Sequence, residues 1–190
     1  MPDPAIDAVR AEAARVVALA RSLTPTDWSA PSRCDDWTVA DVIAHLACDC
    51  QRFTEWLADA ERGVLVPPFP PEQFRADNAM MLERFTGVTG PRRLAAFESA
   101  FGRWIERAAA LDPATPQRHP RGTISVGSQL LLAAGEFAIH GWDVADALGR
   151  DWDPPAALVD IVAAWTSNVA PVRNGDPWHA LLKASGRTPI

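Results

Sequence analysis

The chain has 190 residues, 48% of them hydrophobic and 22% charged, values that fit one soluble globular domain over residues 1–190. Its 18 basic and 24 acidic residues leave a net charge of −6. With Lys183 as the one lysine and no basic run, this argues against nucleic acid as a partner. No apolar stretch reaches membrane length, and the acidic start MPDPAIDAVR does not read as a secretion signal. Cys34, Cys48 and Cys50 are odd in number and not spaced C-x-x-C, which predicts a reducing, cytoplasmic setting.

In chain order, Asp3-Pro4 reads as an N-cap followed by proline at the first helical position. Ile6, Val9, Ala13, Val16, Val17, Ala20 and Leu23 recur at helical spacing, so the first core helix is placed over 4–23. TPTDWSAPSRCDDW is a loop. Thr38-x-x-Asp41 matches a capping box and opens a second core helix over 38–62, with Val39, Val42, Ile43, Leu46, Cys50, Phe53 and Leu57 on its apolar side. His45 lies about 110° from the centre of that stripe at 100° per residue, on the flank where a side chain can face a cleft, with Asp49 one turn further on. VPPFPP is a stiff linker. A helical pattern resumes from Glu72 to Phe85, and a third core helix runs over 91–110. DPATPQRHPRG reads as loop, and no strand alternation is seen anywhere.

The fourth core helix, 127–148, contains GEFAIHGWDVADALG. Glu136 and His140 are four apart and Asp143 follows three later, so all three share a stripe with Gln129 and Leu132. The rest of the segment is apolar nearly all round, which predicts burial. Ionisable groups along a buried helix need partners or a metal, and Glu136-x-x-x-His140 reads as half of a metal site. A fifth helix begins at Asp153-Pro154-Pro155, and DPWHALLKASGR ends the chain with a short one. The expected fold is all-α, an antiparallel four-helix bundle with additional short C-terminal helices and no sheet. Bundles build metal sites from side chains on facing helices, and His45 could supply the missing ligand.

Three marks occur in order: CDDWTVADVIAHL, GEFAIHGWDVADALG and LLKASGRTP. Together they resemble the DinB-like superfamily, in its branch of mycothiol-dependent maleylpyruvate isomerase-like proteins. That resemblance implies a divalent metal, usually zinc, on His45, Glu136 and His140. It also implies a low-molecular-weight thiol such as mycothiol as cosubstrate, used in isomerising or conjugating a small electrophile. Two imidazoles and one carboxylate leave a coordination position open, as catalytic zinc sites do, and nickel would fit the same donors. The maleylpyruvate isomerase itself is expected to be larger, with a further C-terminal domain. A metal-dependent hydrolase and a non-catalytic stress or partner-binding protein are the other readings of this ligand set.

Asp143 is read as orienting a ligand histidine, with direct metal contact or an arginine pair as alternatives. Cys34 is read as packing within its loop rather than as a redox thiol, and Cys48 and Cys50 as core. His119 is placed in a solvated loop, and His179 has no partner identifiable from sequence. Trp37, Trp104, Trp142 and Trp165 are expected in the core. Arg75, Arg121 and Arg173 are expected on solvated surface, with carboxylate binding as the alternative. The fifth helix presents Leu158, Ile161, Val162 and Trp165, a face that would serve a homodimer or pack on its own bundle in a monomer.

Overall fold

The computed structural model describes residues 4–34, 36–65, 71–120, 122–165 and 176–187. Among these the order is α1 (Pro4–Arg21), α2 (Pro25–Trp28), α3 (Val39–Glu61), α4 (Pro71–Glu83), α5 (Gly90–Ala109), β1 (Pro116–His119), β2 (Gly122–Ser125), α6 (Val126–Ala147), α7 (Ala156–Trp165) and α8 (Pro177–Ala184). The four long helices α1, α3, α5 and α6 form the expected bundle. Asp3, the linker residues 66–70, Arg121, Arg173 and the end of the fifth helix beyond 165 lie outside the described residues.

Hydrogen bonds at the helix ends show how the four helices run. Arg93 at the start of α5 reaches Asp41 at the start of α3, and Arg107 near the end of α5 reaches Glu61 at the end of α3. Those two helices are therefore parallel. Arg150, just past α6, binds Ser22, just past α1, so that pair also runs parallel. Arg33, ahead of α3, bonds through its amide to the Asp143 carbonyl near the end of α6, so the two pairs run against each other. Parallel neighbours cannot be joined by a tight turn. The α3–α5 connection accordingly travels the length of the bundle, carrying α4 across the face of α3.

The core is continuous through all four long helices. Phe53, Trp56, Phe97, Phe101, Trp104 and Phe137 interlock as tilted and edge-to-face rings, with centroids 5.1 Å apart for Phe53–Trp104 and 5.5 Å for Phe97–Phe137. On α3 burial extends well beyond the expected stripe, to Ala44, His45, Ala47, Cys48, Asp49, Arg52 and Trp56, because α4 and β1 cover the faces that the other long helices leave open. Cys48 and Cys50 are core residues as expected, and burial pushes the Cys48 thiol up to about 11.

The structure corrects the expectation of no sheet. PQRH and GTIS pair antiparallel from Pro116↔Ser125 to His119↔Gly122. The prolines that suggested loop sit at the strand start and in the two-residue connection, where no ladder donor is needed, and Gly122 adopts φ +124° as the chain reverses. His119 is consequently a half-buried strand residue with its ring 5.7 Å from Trp56, not a solvated loop residue. The loop before α3 also contains the single turn α2, closed by a Thr24/Asp27 capping box. Trp104 and Trp142 are core residues. Leu158 and Val162 of α7 are buried against this chain's own bundle, so part of that apolar face has an intramolecular partner. Arg75 is exposed, and His179 pairs with Asp176 at 2.7 Å.

Two predictions test this architecture. Asp41 closes the α3 capping box with Thr38 and also holds Arg93. Asp41→Ala is expected to lower stability by about 1 kcal/mol in urea denaturation at neutral pH. Burial acts to raise the Asp41 pKa, but the Thr38 and Arg93 bonds outweigh it and hold it below 3.8. The stabilisation is thus complete above the unfolded pKa and lost as pH falls through the folded one, so the variant and wild-type curves should converge in acid. The second concerns Gly141, where an added Cβ would lie 2.1 Å from Trp152 Cζ2. Gly141→Ala should lower the melting temperature despite alanine's better helix propensity. In a Trp152→Ala background the same change should be neutral or stabilising.

Candidate metal centre

The site lies at the bundle end where α3 begins and α6 finishes. The Thr38/Asp41 box starts α3 and puts His45 nearly two turns in, pointing inward and 5% exposed. His140 comes from the last two turns of α6 and is 6% exposed. The two imidazoles meet edge to face with centroids 4.9 Å apart. Half-buried Trp37 covers them from the loop, its ring 4.9 Å from that of His45 and 6.5 Å from that of His140. Trp37 therefore forms a wall of the site, not the core position expected from its type.

An aspartate lies beside one ring nitrogen of each histidine, hydrogen-bonded to His140 and at ion-pair distance from His45. His140 Nδ1 lies 2.9 Å from Asp143 Oδ2, and His45 Nε2 lies 3.2 Å from Asp49 Oδ2. The opposite nitrogens are left for something else. His45 Nδ1 is buried with no hydrogen-bond partner, and His140 Nε2 faces Glu136 Oε2 at 3.6 Å, beyond hydrogen-bonding distance. His140, with a carboxylate on one nitrogen and the other without a hydrogen bond, has the arrangement of a metal-binding histidine. The three expected ligands thus come from facing helices into one place, but Glu136 differs from its expectation. Its side chain is 49% exposed.

Burial, then the neighbouring His140, pushes the His45 pKa down to about 3, so this ring is neutral. Burial acts the same way on His140, but its bond to Asp143 and contact with Cys34 prevail and raise it to about 10. His140 and Glu136 are therefore a loose ion pair. Burial pushes Asp49 up to about 6 against the opposing effect of Arg52. Asp143 is driven the other way despite burial: His140 and Arg187 hold it well below the usual carboxylate range.

Two residues of the site were not legible as such in the sequence. Arg187, beyond α8, forks onto Asp143 with Nε–Oδ1 at 3.0 Å and Nη2–Oδ2 at 2.7 Å. Gly186 at φ +85° turns the chain there, a conformation that favours glycine. The second is Cys34, expected to pack passively in its loop. Its thiol donates to Asp143 Oδ2 at 3.0 Å and lies 3.7 Å from His140 Nδ1 and 3.6 Å from Arg187 Nη2. The available signals were LLKASGRTP and CDDW themselves, marks of the resemblance to which no role had been attached.

Among the described residues, Cys34, His140 and Asp143 form the tight cluster of possible metal donors, within 4.8 Å of one another. The set His45, Glu136 and His140 is looser. The tight cluster is poor ground for a cation, because the Arg187 guanidinium occupies both oxygens of Asp143 and approaches the sulfur. The unpartnered His45 nitrogen and the solvent-facing carboxylate of Glu136 fit one better. Asp143 bonds His140 and makes the arginine pair that was one of its expected alternatives.

No helix among the described residues is long and apolar enough to cross a membrane. None of the curated proteins compared matches the chain. Two solved structures do: a mycothiol-dependent maleylpyruvate isomerase (17% identity, TM-score 0.71) and a histidine-to-alanine variant of such an enzyme (16% identity, TM-score 0.72). Each match covers 90% of this chain and 73% of the other, and at that identity it establishes a shared fold. The family profile for the mycothiol maleylpyruvate isomerase N-terminal domain matches residues 9–145, which include α3, α5, nearly all of α6 and every expected ligand. With well over half its length matched, the chain belongs to the mycothiol maleylpyruvate isomerase N-terminal domain family.

Proposed function

We propose that this protein is a metal-dependent enzyme that uses a low-molecular-weight thiol of the mycothiol type to isomerise or conjugate a small electrophile. The observation that carries the reading is the edge-to-face contact of His45 and His140 from facing helices, with Asp143 on His140 Nδ1 and Glu136 facing His140 Nε2. His45 and His140 would hold the ion through nitrogen and Glu136 through oxygen, a donor set suited to zinc and open to nickel. A divalent ion there would supply a Lewis acid and favour the thiolate form of a thiol.

The chain's own residues do the remaining work. Asp143 keeps the His140 ring turned so that Nε2 points toward Glu136. Trp37 excludes water from the two imidazoles on the loop side. Arg187 balances the buried charge of Asp143. Exposed Glu136 marks the side from which a small thiol and its electrophile would enter. The mycothiol dependence of the two similar enzymes supports use of a thiol. The free cysteines suit a reducing cytoplasm, and the intramolecular packing of α7 suits a monomer as well as a homodimer.

The test is metal content followed by thiol response. One divalent ion per chain is expected after zinc reconstitution, and His140→Ala should lose most of it while keeping its helical circular dichroism. Adding a small thiol should shift the visible spectrum of the cobalt-substituted protein. Protein that stays empty under zinc would overturn the site. Metal binding that ignores thiols would favour a hydrolase or a binding module. Asp143→Ala should weaken zinc affinity by about 10–100-fold without abolishing it, and unchanged affinity would limit Asp143 to holding Arg187 and Cys34.

A further inference from the structure

We propose that the trough between α1 and α5 binds an apolar carboxylate, with an acyl chain lying along the trough and its carboxylate on Arg10. The inference is independent of the metal reading, since the trough shares no residue with the metal centre.

The space follows from the way the helices pair. α1 packs closely on α6, and α5 on α3, whereas α1 and α5 meet only lightly. On the α1 side the wall is made of small side chains, with Ala14, Val17 and Ala18 on one stripe between Arg10 and Arg21. On the α5 side Phe97, fully buried, and Phe101, half-buried, supply aromatic surface. One turn beyond Glu98, an added Cβ at Gly102 would meet nothing within 4 Å, so α5 is open there as well. Small residues opposite rings leave a volume of about 460 Å³, in the size class of small-molecule sites.

The charges stand at the two ends. Arg21 is neutralised by Glu98 at 2.6 Å. Arg10 lies about 16 Å away along α1 at 1.5 Å per residue. It is exposed and has no ion-pair or hydrogen-bond partner among the described residues. The trough thus has an apolar middle, one end already paired and one end with an available guanidinium. Apolar walls with a single placed charge are how proteins orient an amphipathic small molecule. A guanidinium donates two parallel N–H···O bonds to a carboxylate, and the span between the arginines suits an extended chain. A second copy of this chain fits less well, because symmetric pairing would set two faces of the same net positive charge against each other.

Calorimetric titration of the full chain with octanoate should show saturable binding at one site per chain. Octan-1-ol, with the same chain and no charge, should bind at least about ten-fold more weakly, the value of a charge-assisted hydrogen bond. Arg10→Gln should weaken octanoate by a similar factor and close the gap to the alcohol. Ala14→Leu combined with Ala18→Leu puts bulk at two exposed, helix-favouring positions and should abolish binding, with helical circular dichroism unchanged. Octanoate that fails to saturate, octanol bound as tightly, or full affinity kept by Arg10→Gln or by the leucine pair would overturn the site. A wild type that sediments as a dimer and is split by the leucine pair would also overturn it, giving the trough to a second copy. Should the leucine pair not fold, Arg10→Gln, at an exposed side chain without a partner, decides by itself.

Discussion

A buried carboxylate that is fully compensated organises this end of the molecule. Asp143 has no exposed surface, and an isolated charge in that position would cost several kcal/mol. Its two oxygens instead receive an arginine fork, an imidazole and a thiol. These partners come from α6, from the tail beyond α8 and from the loop before α3, so satisfying one charge draws three distant segments together. The backbone amide of Arg33 on the Asp143 carbonyl, and the Arg33–Asp146 ion pair, hold the same loop to the same helix end.

Around this junction the two histidines differ in state. His45 is neutral because burial and its neighbour disfavour a charge, and His140 is cationic because Asp143 and Cys34 favour one. Pairs whose environments push them apart in this way concentrate at functional sites. Glu136, half exposed, is the part of this cluster that meets solvent.

Bundle topology explains why polar groups are tolerated so deep on α3. Parallel pairing of α3 with α5 requires a long return, and that return lays α4 over the face carrying Asp49 and Arg52. On a helix left open to water these residues would be solvated and mobile. Beneath α4 they are buried, with Asn78 and Met81 among the guanidinium's contacts.

What the sequence determined by itself was local and periodic. The four long helices lie within two residues of their expected ends, because amphipathic spacing, the Thr38/Asp41 box and the prolines and glycines at the breaks act over a few residues. The i, i+4 and i, i+3 relations among Glu136, His140 and Asp143 follow from helix geometry alone. Tertiary structure decided the rest. The β1–β2 hairpin is a pairing across a turn in a proline-rich stretch whose residues carry no alternation. Glu136 is exposed because the elements packed on the rest of α6 leave its position uncovered, which the helix's composition could not disclose. Cys34 and Arg187 are 153 residues apart, and no spacing rule joins them. They meet because a buried carboxylate on a third segment requires donors, and only the folded chain determines which donors are within reach.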